Sequence, residues 1–305
     1  MKKIITAAIT GAIHTPGMSP YLPITPEEIV NDAVGAAEAG AAVVHIHARN
    51  PENGEPSSDL ELMKDIVSEI KKRSDVIICV TTGGQIGMTV EERIAAVPYL
   101  KPEVASCNAG SFNFVLVEAL KKLKPKYEWE TQYLQRTEDL IFTNTFKGLS
   151  HYVKTMYAYE TLPEFEVYDV GMINNIAYLI KEGIIKAPVY LQFVMGILGG
   201  IPASVKNLSF LHETAKELLG DQFVWSVAAA GKNQFPLTTA ALSMGGNVRV
   251  GLEDNLYLEK GVYAKHSSEQ VLRIKGVIEA LGHEVATPDE ARLILNLKGN
   301  HAVSF

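Results

Sequence analysis

Val43-Val44-His45-Ile46-His47-Ala48-Arg49-Asn50 reads as a short buried strand that runs straight into a polar loop, Asn50-Pro51-Glu52-Asn53-Gly54-Glu55-Pro56. Side chains two apart on a strand share a face, so His45 and His47 project together while Val44 and Ile46 face the other way. Paired imidazoles at the exit of an apolar strand offer two nitrogen ligands to one metal ion, most commonly zinc. The competing reading is two histidines packed in a core strand with no ligand.

Outward from that stretch, apolar strands alternate with amphipathic helices. Upstream lie a strand over 4–10, a polar loop over 11–24, and a helix over 26–39 opened by Thr25-Pro26-Glu27-Glu28 and stopped by Gly40. Downstream come a helix over 59–72 and a strand over 76–81 broken by Thr82-Gly83-Gly84. Thr89-Val90-Glu91-Glu92 opens another helix, followed by a strand over 104–107. Residues 112–163 carry the weakest pattern, a long connection with a helix from about 145 to 160. Strands over 164–170, 189–195, 223–228 and 247–252 then alternate with helices over 172–181, 203–219 and 234–243, and helices over 268–281 and from Thr287 onward end the series. Several strands are continuous apolar runs, as expected when both faces are covered. Eight such units across 305 residues point to a (β/α)8 TIM barrel forming one domain over 1–305. A doubly wound open sheet is the alternative, but no Gly-x-Gly-x-x-Gly follows the first strand.

Composition narrows the function classes. The chain is 47% apolar and 21% charged with a net charge of -7, which argues against a nucleic-acid surface. No segment reaches the ~18 apolar residues needed to span a bilayer. Met1-Lys2-Lys3 followed by an apolar stretch has the layout of a secretory signal, but Thr6 and Thr10 interrupt it and a buried first strand explains it equally well. Cys79 and Cys107 both sit in apolar runs and suit reduced thiols in a cytoplasmic protein, packed rather than nucleophilic.

In a barrel of this type the active site lies at the C-terminal strand ends. Those ends offer His14, then His45 and His47, then Thr81 to Gly84, then Asn108 and Ser111, then Glu166 and Asp169, and later Ser226, Arg249, Glu253 and Asp254. On the last strand Val248, Val250 and Leu252 form a helix-packed face, leaving Arg249, Gly251 and Glu253 to point into the barrel. Burying Arg249 and Glu253 alone costs several kcal/mol, so each needs a partner. Strands 8 and 2 flank strand 1, which brings Glu253 toward His45 and His47 as a His2Glu set with one open position. A plain Arg249–Glu253 ion pair lining the barrel is the other reading. The remaining histidines, His151, His212, His266, His283 and His301, fall away from strand ends, which disfavours a binuclear amidohydrolase.

The runs Val44-His45-Ile46-His47-Ala48-Arg49, Thr81-Thr82-Gly83-Gly84, Glu166-Val167-Tyr168-Asp169 and Val248-Arg249-Val250-Gly251-Leu252-Glu253-Asp254-Asn255 resemble the beta-keto acid cleavage enzyme family. The resemblance implies a barrel with one zinc per chain that condenses a beta-keto acid with acetyl-CoA, a coenzyme A thioester, to give acetoacetate and a new acyl-CoA. Carried over by position, it implies His45, His47 and Glu253 as metal ligands and Asp254 as general base, with Arg249 and Glu166 holding and tuning that base. Thr81, Gly84 and Asn108 would orient the substrate carboxylate. A homo-oligomer, with a tetramer favoured, is implied as well. The founding member of the family has a glutamate directly after the Gly-Ala of strand 1, suited to a substrate ammonium; here Ile13 and His14 follow Gly11-Ala12. An apolar Ile13 cannot pair a cation, so a neutral or acidic keto acid is expected, with His14 as a hydrogen-bond partner. Two other classes remain: another zinc barrel lyase or hydrolase acting on a keto acid without coenzyme A, and a metal-stabilised binding protein without turnover.

Overall fold

The computed structural model describes residues 1–83, 87–121 and 123–305. Eight parallel strands close into a barrel: β1 Ile5–Ala8, β2 Val43–Ile46, β3 Ile77–Val80, β4 Val104–Asn108, β5 Leu162–Val167, β6 Val189–Met195, β7 Phe223–Ala229 and β8 Asn247–Val250. Each strand pairs with the next, and β8 closes onto β1 through Val248 opposite Ile5 and Val250 opposite Ala7. The barrel expected from the alternation is therefore the observed fold.

Local chemistry explains how the strands are spaced. The helix Pro26–Ala39 starts where Thr25 accepts from the Glu28 backbone and Glu28 reciprocates, and it stops at Gly40, whose φ of 120° favours a residue without a β-carbon. Thr89 and Thr287 open their helices by the same reciprocal cap. These signals are local, and the sequence placed those boundaries to within a residue or two.

The two strand faces divide the labour. Outward residues Val44, Ile46, Ile78, Val80, Val248 and Val250 pack on the helices Pro26–Ala39, Leu60–Arg73 and Ser267–Ala280. Each fully buried aliphatic side chain contributes about 1.5–3 kcal/mol. Inward residues form layers along the axis. Ile4, Val43, Ile77 and Val104 make an apolar floor, sealed below by Ala291 and Leu295 of the terminal helix Pro288–Leu295. One step up, the buried inward side chains are polar apart from the thiol of Cys79: Thr6, His45, Glu164, Gln192 and Arg249. Polar groups in such a place destabilise unless hydrogen-bonded or charge-paired, so the upper half of the barrel is built for something other than stability.

Three departures from the sequence reading bear on function. Strand β5 ends at Val167, so Asp169 caps the helix Val170–Lys181 through the Gly171 N–H instead of entering the site. Strand β8 ends at Val250, not 252. Gly251, with φ 143°, lies so close to Ala8 that a β-carbon would stand 2.0 Å from its carbonyl oxygen, and the chain turns there. Between β4 and β5 there is a helix, Glu128–Arg136, that periodicity did not reveal, beside the expected one at Phe146–Ala158. Buried Glu130 holds this segment against the loop after β1, accepting from Thr15 Oγ1 at 2.5 Å and Gly17 N at 2.7 Å with one oxygen, and from Lys126 N and Tyr127 N with the other. Among the described residues, no helix is long and apolar enough to cross a membrane.

Candidate metal centre and active site

His45 leaves the end of β2 and His47 follows just beyond it, and their Nε2 atoms stand 3.1 Å apart. Glu253 comes from the turn after β8, tied back to β1 by its backbone N–H to the Ala8 carbonyl at 3.1 Å. Its Oε1 accepts from Arg249 Nη2 at 2.7 Å and lies 3.7 Å from His47 Nε2. Its Oε2 is buried without a partner, 3.8 Å from His45 Nε2. Separations of this size are close to the ~3.3 Å between ligand atoms of a tetrahedral zinc site with bonds near 2.0–2.1 Å.

The charge states agree with a cation site. Burial pushes His45 down to about 3 and His47 to about 4, so both rings are neutral at physiological pH and present lone pairs. For Glu253, burial works upward, but Arg249 and the two histidines outweigh it and hold the carboxyl down to about 2. Two neutral nitrogens and one anionic oxygen therefore converge, and the orphaned Oε2 is the atom that most needs a cation. The three residues fit a divalent metal with an open fourth position.

Arg249 organises the acids around this point. Its Nε and Nη2 donate to the two oxygens of Asp254 at 2.8 and 2.9 Å, Nη2 also reaches Glu253, and Nη1 donates to Gln192 Oε1 at 2.9 Å. Glu166 Oε1 lies 3.5 Å from Nη1. Burial carries Asp254 up to about 6 and Glu166 up to about 7 despite the guanidinium. Each carboxylate oxygen of Asp254 keeps a lone pair that Arg249 does not use.

A cavity of about 540 Å³ opens above the cluster. His45, His47, Thr81, Asn108, Glu166 and Glu253 line its polar end, while Ile13, Met88, Val90, Phe114, Leu116 and Phe142 are among its apolar walls. Thr81 Oγ1 accepts from the Gly83 N–H at 2.9 Å, which leaves its own hydrogen to donate into the cavity. Asn108 Nδ2 donates to Glu166 Oε2 at 2.8 Å, and its Oδ1 has no partner.

The family described as beta-keto acid cleavage enzyme matches residues 2–297. The chain belongs to the beta-keto acid cleavage enzyme family. It is 45% identical over 305 residues to the 3,5-dioxohexanoate:acetyl-CoA acetone transferase of Paraburkholderia graminis, covering 100% of this chain and 98% of that one. With the 3-keto-5-aminohexanoate cleavage enzyme of Acetoanaerobium sticklandii it shares 41% identity over 297 residues, covering 97% and 98% of the two chains. Among solved structures, apo ObcA superposes with a TM-score of 0.74 at 22% identity, over 92% of this chain and 66% of that one, a likeness of fold.

Seen as a beta-keto acid cleavage enzyme, the molecule gathers most of the residues singled out in the sequence. His45, His47, Glu253, Glu166, Thr81, Asn108 and Ile13 all border one cavity. Arg249 and Asp254 stand behind Glu253 and are not among the residues lining it. Gly84 lies outside the described residues. His14 is a correction. Instead of facing the cavity, its Nδ1–H donates to the Leu252 carbonyl at 2.9 Å, and burial lowers the ring to about 4, so it steadies the turn that carries Glu253. Arg49 is likewise structural, clamping Thr10, His14 and Gly54 with four hydrogen bonds and so fixing the loop that bears Ile13.

Sequence reading missed Tyr168, which lines the cavity, stacks on Phe112 at 4.5 Å and donates to Glu166 Oε2 at 3.3 Å. Its position two residues after Glu166 was the available signal. Phe114, Tyr133 and Phe142 were missed because they come from the 112–163 segment, where no period marks a face.

Gly11 gives a direct check on Glu253. Its φ is 58°, and a β-carbon there would stand 2.2 Å from Glu253 Cγ. Gly11→Ala should push that side chain off the histidines and weaken the uptake of added zinc at this candidate site by roughly 10–100-fold, as losses of ligand support do. Titration against a chromophoric chelator measures it; unchanged affinity would remove Glu253 from the ligand set.

Proposed function

We propose that this chain is a zinc enzyme that condenses a beta-keto acid with acetyl-CoA, releasing acetoacetate and the acyl-CoA of the remaining substrate carbons. The observation that carries the reading is the buried, unpartnered Glu253 Oε2 beside the neutral His45, with His47 against the other oxygen, at the polar end of the cavity. One zinc held by His45, His47 and Glu253 would supply Lewis acidity toward the keto acid, making the protons between its keto and carboxylate groups easier to remove. Thr81 and Asn108 orient the substrate carboxylate at the cavity end they share with Glu166. Asp254, aligned by the two Arg249 hydrogen bonds behind Glu253, is the base assigned to remove a proton from that carbon, which requires the substrate to reach past the cavity lining beside Glu253. The carbon then bonds to the thioester carbonyl of acetyl-CoA and the coenzyme A thiolate departs. That thiolate attacks the original keto carbonyl, the carbon–carbon bond breaks, and Asp254 returns its proton to the departing acetoacetate carbon. No enzyme nucleophile is required. Cys79 and Cys107 are consistent with that, since burial pushes both thiols up.

Zinc content together with acetoacetate release from acetyl-CoA and a panel of beta-keto acids tests the reading. One zinc per chain with a matching acyl-CoA supports it; cleavage that proceeds equally without coenzyme A favours a lyase. Asp254→Asn should lower kcat by about 10²–10⁴, the usual contribution of a positioned base. If Glu166→Gln abolishes turnover while Asp254→Asn leaves it intact, Glu166 is the base.

The side chain of the keto acid is proposed to be neutral. Among the described residues, Glu166 and Glu253 are the carboxylates of the cavity lining, and both stand at the polar end. Ile13 on the wall offers an ammonium group no partner, and leaving a charge so placed costs several kcal/mol. The 45% identical relative is named for 3,5-dioxohexanoate, whose side chain beyond the beta-keto acid unit carries no charge. Ile13→Glu is expected to raise kcat/KM for an amino-bearing keto acid at least about tenfold, equivalent to ~1.4 kcal/mol; no gain on cationic substrates would count against this assignment. The buried free thiols suit a cytoplasmic setting, and the exposed Phe146–Tyr178 aromatic pair is a surface that a homo-oligomer contact would cover.

A further inference from the structure

Behind the candidate metal ligand His45 lies a second group of polar side chains that the reaction does not use. His45 on β2 and Cys79 on β3 are register partners, and Cys79 Sγ stands 3.4 Å from His45 Nδ1. From Cys79 the contact continues to Glu164 on β5, with Sγ 3.7 Å from Oε1. Alternate strands of such a barrel feed the same interior layer, which is why β3 and β5 side chains meet across β4. All three residues are at most 1% exposed, and Glu164 Oε2 has no hydrogen-bond partner.

The direction of this chain of contacts follows from which atoms carry hydrogens. A cysteine fully buried beside a carboxyl group is a thiol, so Cys79 carries a hydrogen to donate. That S–H has Glu164 Oε1 as its acceptor, which turns the sulfur lone pairs toward His45. Nδ1 of His45 must then carry the ring hydrogen and donate it to sulfur. Nε2 is left bare, on the side where His47 Nε2 and Glu253 Oε2 converge.

We propose that Cys79 and Glu164 are positioning residues for the metal ligand His45, fixing its tautomer and ring orientation through an Nδ1–H···S–H···carboxylate relay. The inference rests on the zinc reading above. Metal-bound histidines are ordinarily oriented by a carboxylate or carbonyl on the other ring nitrogen, and a thiol interposed before the carboxylate does the same work at longer range. His45, Cys79 and Glu164 also come within 4.8 Å of one another as a possible metal triad. That alternative requires a thiolate in a buried acidic setting and a His45 ring stripped of both hydrogens while it serves the first site, so the relay is the better reading.

The test is zinc affinity, measured by chelator competition on the apo-proteins alongside their thermal midpoints. Cys79→Ala should weaken zinc binding roughly 10–100-fold. Cys79→Ser, which can still accept and donate, should recover at least half of that loss on a logarithmic scale. Glu164→Leu removes a buried acid of similar size, so the apo-protein should melt no lower than the wild type while zinc binding weakens. Equal affinity in the wild type, Cys79→Ala and Glu164→Leu overturns the inference, and so does a Cys79→Ser loss as large as that of Cys79→Ala. A wild-type chain that takes up no zinc overturns the metal reading itself, whereas normal uptake with unchanged variants overturns the relay alone.

Discussion

His47→Ala is expected to purify without zinc and to lose about a thousandfold or more of its acetoacetate-forming activity. In the proposed site the ring supplies one of three converging donor atoms, 3.1 Å from His45 Nε2 and 3.7 Å from Glu253 Oε1. Two ligands rarely hold a catalytic metal. Lewis-acid assistance contributes several kcal/mol to a reaction that develops charge on oxygen, and each ~1.4 kcal/mol is a factor of ten in rate. The fold should not suffer, because His47 lines the cavity with 12% of its side chain exposed. Elemental analysis and turnover on the same preparation decide the matter. Normal activity in a zinc-free His47→Ala protein would sink the mechanism.

Arg249→Ala should destabilise the molecule by about 3–5 kcal/mol and also abolish turnover. The side chain is the cation for three buried acids, touching Asp254 at 2.8 Å, Glu253 at 2.7 Å and Glu166 at 3.5 Å. Removing one partner of a buried ion pair strands the remaining charge, which is the origin of the large cost. A urea midpoint reads it. Arg249→Ala combined with Asp254→Asn removes one stranded charge and should recover part of the loss, whereas an equal loss in the double variant would locate the damage in packing. Arg249→Lys is not a conservative change here. A single ammonium cannot donate to both oxygens of Asp254, to Glu253 and to Gln192 at once, so activity should remain low even where stability returns.

Both variants probe residues that stand out in the sequence, and the reason is physical. A histidine pair at the end of an apolar run and an arginine with a glutamate on an inward strand face conflict with burial unless something compensates them, so they are conspicuous against period-2 patterning. The strand and helix alternation is equally legible, since Thr25, Thr89 and Thr287 mark helix starts by hydrogen bonds made within three residues. What failed was of another kind. Tyr133 and the helix Glu128–Arg136 are held by contacts such as Glu130 to Thr15 and Tyr133 to the Ala12 carbonyl, more than a hundred residues away in sequence. His14 reads from the sequence as a hydrogen-bond partner for the substrate, yet its Nδ1–H goes to the backbone of Leu252.

Sequence alone determined the barrel, the family and most of the polar residues at its mouth, because strand period, helix caps and motif spacing are encoded between near neighbours. Only the tertiary structure decided how that set is divided. It set Glu253 Oε2 against His45 and Oε1 between His47 and Arg249, drew Asp254 behind Arg249, withdrew His14 to the backbone, and brought Cys79 and Glu164 together behind His45. Those choices depend on where the chain turns after β8. That turn is set by Gly251 lying against Ala8 and Gly11 against Glu253, close approaches that exist only once β1 and β8 have met.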